Sequence, residues 1–158
     1  MPNRHDIHVL NDLITATLDS AERLERVAAD SETTGHASLF TALAAERRDM
    51  VVSMQDLVTQ LGGQNDASGS ILAKAQRAVM DMSHALLGEA GVVGAADQGE
   101  KALDRKFEAA LADDKLAATT RETLRRAHAI IHKETADVHG LTRSLEGQRD
   151  AGSSLFPQ

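Results

Sequence analysis

Glutamates Glu22, Glu25, Glu46, Glu100 and Glu134 give each of four amphipathic stretches an acid at or near its apolar face. Hard divalent ions such as iron and manganese are held by several inward carboxylates. In a helical bundle, a di-metal centre draws a Glu from each of two helices and a Glu-x-x-His from each of the other two. Here both Glu-x-x-His motifs are missing, because Asp49 stands three residues after Glu46 and Asp137 three after Glu134. At about 100° per residue, Leu39, Phe40, Leu43, Met50, Val51, Met54, Leu57, Val58 and Leu61 share one sector of a helix. Arg47 projects near the middle of that sector and Glu46 at its edge. An inward charge without a partner costs several kcal/mol. Arg47 therefore competes, as an internal cation, with any ion that the glutamates would hold. In the first helix Glu25 points closer to the apolar face than Glu22 does, while Glu100 and Glu134 fall inside the apolar sectors of their own helices.

His128, His132 and His139 follow steps of four and seven along one face of the last helix, a spacing that could chelate nickel, zinc or copper. They project about 90° or more from the core direction, which makes a solvated face the simpler expectation. No serine or threonine has a recognisable His-Asp partner pattern, and the glycine clusters lack phosphate-binding spacing. With no cysteine, disulfides, thiolate nucleophiles and sulfur-ligated metals are excluded. A net charge of -7, without a basic stripe, disfavours nucleic acid and anionic membrane as partners. The amino-terminal stretch lacks the apolar core of a secretion signal, and no run approaches the roughly 18 apolar residues of a membrane span. A cytoplasmic location is expected.

The elements that would position these side chains are all helical. The two prolines, Pro2 and Pro157, lie at the ends, so none interrupts a helix between them. Leu10, Leu13, Ile14, Thr17, Ala21, Leu24 and Ala28 recur at three- and four-residue steps and predict a first helix over about 6–30. SETTG at 31–35 is a short turn, and the second helix follows over about 39–61, stopping at Gly62-Gly63. Ser68 or Ser70 can cap a shorter helical piece over about 71–87, whose Ile71, Ala75, Val79, Met82 and Leu86 would offer a pairing face. The third long helix covers about 92–111 with Val92, Ala96, Leu103, Phe107 and Ala110 inward. Thr119 and Glu122 have capping-box spacing. The last helix begins there or near Asp113 or Asp114, and runs to about Leu145 on Leu124, Ala127, Ile131, Val138, Leu141 and Leu145. Two antiparallel pairs joined by a long connection predict an all-α antiparallel four-helix bundle of ferritin-like topology, with one long crossover that contains a short extra helix. Residues 1–148 form this single domain, and 149–158 a mobile tail.

LNDLI at 10–14, AAER at 44–47, LGG followed by GS within 61–70, RAVMDM at 77–82 and GE at 99–100 together resemble the small bacterial ferritin-like four-helix-bundle family filed as a domain of unknown function. The likeness extends over most of residues 7–145. It implies the bundle fold, a bacterial cytoplasmic protein and a distant kinship with di-iron carboxylate proteins, but brings no established activity. It favours Glu22 over Glu25 as the acid of the first helix. Where the family tends to have tryptophan in the crossover this chain has Val79, and where a histidine is expected late in the last helix it has Thr135. Two functional expectations follow. The first is a structural or binding bundle with no cofactor and no catalytic cycle, able to form a homodimer. The second is a carboxylate protein holding iron or manganese on Glu22 or Glu25, Glu46, Glu100 and Glu134, with ferroxidase-type chemistry.

Overall fold

The computed structural model describes residues 3–30, 36–64, 91 and 93–155, with side chains through 148, and among them are four helices and no strand. Helix α1 spans Asn3–Asp30 and α2 spans Ala37–Gln60. Helix α3 is described over 93–111, and α4 spans Ala118–Leu155. The expected all-α four-helix architecture is the observed one. The turn at 31–35 and the crossover helix at 71–87, with its capping serines and pairing face, lie outside the described residues.

Helix rotation follows the apolar steps. Every inward position expected of α1 is buried, and so are Phe40, Leu43, Met50, Val51, Met54, Leu57 and Val58 of α2. Burying one leucine fully is worth about 1.5–3 kcal/mol, so these stripes fix which side of each helix faces in. Leu39 departs from the expectation: it lies in the first turn of α2 and is 40% exposed.

The buried apolar residues form two groups. Leu10, Leu13, Ile14, Met54, Val58, Leu103, Phe107, Leu124 and Ile131 belong to one, and Leu24, Val27, Phe40, Leu43, Val93, Ala96 and Val138 to the other. This grouping gives the helix directions. The start of α1 meets the end of α2, the end of α3 and the start of α4. The end of α1 meets the starts of α2 and α3. Helices α2 and α3 therefore run parallel, and the chain must travel the length of the bundle between them, as a one-crossover bundle requires.

Charges and one glycine finish the helix ends. Gly62 has φ 82°, and Gly62 N–H and Gly63 N–H donate to the carbonyls of Thr59 and Val58, the paired bonds of a left-handed exit. Gly63 also packs directly on Ile7, whose side chain would collide with an added Cβ. At the corner between α3 and α4, Arg121 donates to the carbonyls of Leu111 (2.8 Å) and Asp113 (2.7 Å), a cation at the negative end of α3.

Helix α4 starts within the expected range, at Ala118, but departs from the expectation in its cap and at its far end. Its cap is not the Thr119–Glu122 box, since the helix has already begun at Ala118 and Thr119 lies inside it. Asp6 of α1, only 2% exposed, instead accepts from Ala117 N–H (3.1 Å) and Thr120 Oγ1 (2.6 Å). A carboxylate from a distant helix fills the capping role. At the other end the helix passes Leu145 and continues to Leu155, into the stretch that composition marks as tail. Adding a residue to an existing helix costs far less than starting one.

Candidate functional site

Between the two apolar groups lies a charged waist. Arg47 enters it from the buried face of α2, Glu100 from α3 and Glu134 from α4, with Arg47 and Glu100 at 0% exposure and Glu134 at 9%. Arg47 Nη2 donates to Glu100 Oε2 at 2.9 Å and its Nε to the same oxygen at 3.3 Å. Arg47 Nη1 donates to Glu134 Oε2. The second oxygen of Glu100 accepts from Ser20 Oγ at 2.6 Å and faces Arg23 Nη1 at 3.5 Å, both on α1. Thr135 Oγ1 reaches the Glu100 carbonyl at 3.5 Å. All four helices thus supply a member. Among these described residues two guanidiniums face two carboxylates, so the formal charges of these four groups cancel.

Gly99 has a definite part in this. A Cβ there would fall on the Arg23 guanidinium. The missing side chain lets Arg23 lie across α3 close enough to reach the carboxylate of the next residue, which gives the Gly99-Glu100 pair a physical reason.

The other expected acids stand elsewhere. Glu25 is exposed and forms a two-point pair with Arg48, at 2.6 Å to Nε and 3.0 Å to Nη2. Hydrogen bonding from that guanidinium holds the Glu25 carboxyl below the usual glutamate range. Glu22 is more sheltered than Glu25, and its negative charge acts on Arg48. Glu46 is exposed on the rim of a shallow groove between α2 and α4, beside Met50, Met54 and Ile130. The position at the edge of the apolar sector thus turns outward, and Glu25, nearer the stripe by angle, does so too.

Iron or manganese at the waist can be tested against these donors. A di-metal centre needs carboxylate oxygens open towards the ion and histidines one turn on. Both Glu100 oxygens are engaged, and the guanidinium of a completely buried arginine stands between Glu100 and Glu134. No histidine joins them among the described residues. The waist residues do not fit such a centre.

A different group does have the composition of a metal site. On the flank where α3 meets α4, Asp104 accepts from His128 Nε2 at 2.9 Å and lies 3.1 Å from His132 Nδ1. Glu108 lies one turn from Asp104 and 4.0 Å from His128. Ligand atoms of these four residues all fall within 4.8 Å of one another. The same seam repeats one heptad away, where His139 Nδ1 meets Asp97 at 3.0 Å and Lys101 joins at 3.3 Å. The histidines expected on a solvated face thus meet acids of the neighbouring helix. Asp104 and Glu108 escape a sequence reading that looks for inward acids. Their one signal is a four-residue spacing that matches His128 and His132.

A family model for a domain of unknown function (DUF2383) matches residues 5–113. The chain belongs to this family. The match takes in α1, α2 and α3, hence Arg47 and Glu100, and ends before α4, hence before Glu134, His128 and His132. Neither the curated proteins nor the solved structures give a match to the chain.

Proposed function

We propose that this family member is a non-catalytic helical bundle with a structural or binding role. In it, protein cations neutralise the buried acids that a ferritin-like di-metal protein would devote to iron or manganese. The position of Arg47 carries the proposal: it is fully buried, and its guanidinium joins Glu100 and Glu134 across three helices. A guanidinium has five donors in a fixed plane, does not lose its proton and has no redox states. It can hold α2, α3 and α4 in register, but it cannot activate dioxygen.

The test is metal analysis and ferrous-ion challenge of full-length protein purified without a histidine tag. The expected result is no stoichiometric iron or manganese and no oxidation of ferrous ion above the buffer rate, with Glu100→Gln lowering stability and leaving iron content unchanged. One or two equivalents of iron or manganese, removed by Glu100→Gln and Glu134→Gln, would overturn the proposal.

A further inference from the structure

We infer that Asp104, Glu108, His128 and His132 form a site for a zinc-class divalent cation on the outside of the bundle, separate from the waist. Two imidazoles and two carboxylates are the donors that suit zinc, which accepts His nitrogen at about 2.0–2.1 Å and carboxylate oxygen at about 2.0–2.2 Å in a tetrahedron. The histidines sit four apart on one helix, the spacing with which a helix offers two imidazoles to one ion. The acids sit four apart on α3, and the ligand atoms already lie within 4.8 Å of one another, so rotamer changes alone can close the tetrahedron.

The local electrostatics support this. The Asp104 side chain keeps only 13% of its exposure, and its ionic partners among the described residues are imidazoles alone, His128 and His132. Among the described residues Glu108 pairs only with His128. Every other buried or half-buried acid on these two helices for which an ion pair is seen has a lysine or arginine in range: Asp97 has Lys101, Glu100 has Arg23 and Arg47, Glu134 has Arg47, and Glu122 has Arg125 and Arg126. His128 Nε2 and His132 Nδ1 both aim at the Asp104 carboxylate, so the three groups converge where a metal ion would sit. Four protein ligands leave no open position, which makes the ion a structural cross-link between α3 and α4 and not a catalytic one.

The experiment is calorimetric titration of zinc chloride into full-length, tag-free protein stripped with chelator, repeated in buffers of different ionisation enthalpy to count released protons. One equivalent should bind with proton release. Affinity should fall about tenfold or more in His132→Ala and again in Asp104→Asn, a loss at least as large as that for outer-shell partners of known sites. His139→Ala, one heptad along the same seam, should bind zinc as wild type does. Cobalt(II) in place of zinc should give the intense visible bands of four-coordination. Circular dichroism of each variant establishes that it is folded. Failure of the folded wild type to bind zinc, or binding that survives His128→Ala/His132→Ala or is lost in His139→Ala, would overturn the inference. These outcomes concern zinc and the seam residues, so they are separate from the iron and manganese test of the waist.

Discussion

Arg47 and Arg48 are consecutive, and each reaches glutamate on another helix, yet one does so in the interior and the other at the surface. Arg47 is completely buried with Glu100 and Glu134, whereas the side chains of Arg48 and Glu25 each keep 47% of their exposure. A helix turns about 100° per residue, so one step moves a guanidinium from the core to water. The same pairing chemistry then has different consequences. Water can rehydrate Arg48 and Glu25 if they part. Glu100 has no such recourse, since its alternatives are other buried side chains.

Removing the buried cation should show this contrast most strongly. Arg47→Met leaves two acids in the interior without their main counterion and should lose about 3–5 kcal/mol of unfolding free energy in urea titration. A loss under about 1 kcal/mol would mean that the waist admits water. Replacing the network together, as Arg47→Met/Glu100→Met/Glu134→Met, should recover about 2 kcal/mol or more relative to Arg47→Met alone, because apolar substitutes for a whole buried ion cluster are often neutral or stabilising. A triple variant no better than the single one would show that Ser20 and Arg23 depend on Glu100 more than the charge balance suggests. Asp6→Ala tests an intermediate case, a buried acid whose Oδ2 accepts from a helix end and a hydroxyl in place of a guanidinium. It should cost about 1–2 kcal/mol in the same titration.

At the surface the effect should be small. Arg48→Ala should change stability by no more than about 0.5 kcal/mol, as exposed pairs do. Its clearer sign is in protonation. Arg48 lowers the Glu25 pKa, so the pair's contribution is complete above the ordinary glutamate range and is lost as pH falls through the lowered value. Carboxyl NMR should show Glu25 titrating below the ordinary value in wild type and returning to it in Arg48→Ala.

Periodicity within a helix made much of this legible. Arg47, Glu100 and Glu134 sit inside their own apolar sectors, so their inward direction needs no knowledge of the neighbours. Positions at sector margins are different. Glu46 and Glu25 turn outward because the partner helix, and not the stripe, decides where the interior stops. The seam was hidden for the same reason. His128 and His132 lie about 90° from the core direction, which is solvent for a single helix but the flank of a neighbour in a bundle. Whether Asp104 waits there depends on how far α4 slides along α3, and no one-helix projection contains that offset. The Asp6 cap was out of reach too, since it links residues far apart in the chain, while the nearby Thr119 and Glu122 satisfied the local pattern without performing the role.

Because Asp6 holds the first turn of α4, the opening segment of the polypeptide and its closing helix share one clasp. During synthesis that helix would emerge long after its anchor, and the Ala117 amide and Thr120 hydroxyl would stay solvated until α1 had swung into place. A shortened version beginning at Ile7 should therefore fray at the start of α4, with amide exchange quickening at 117–121 even though every residue there is unchanged.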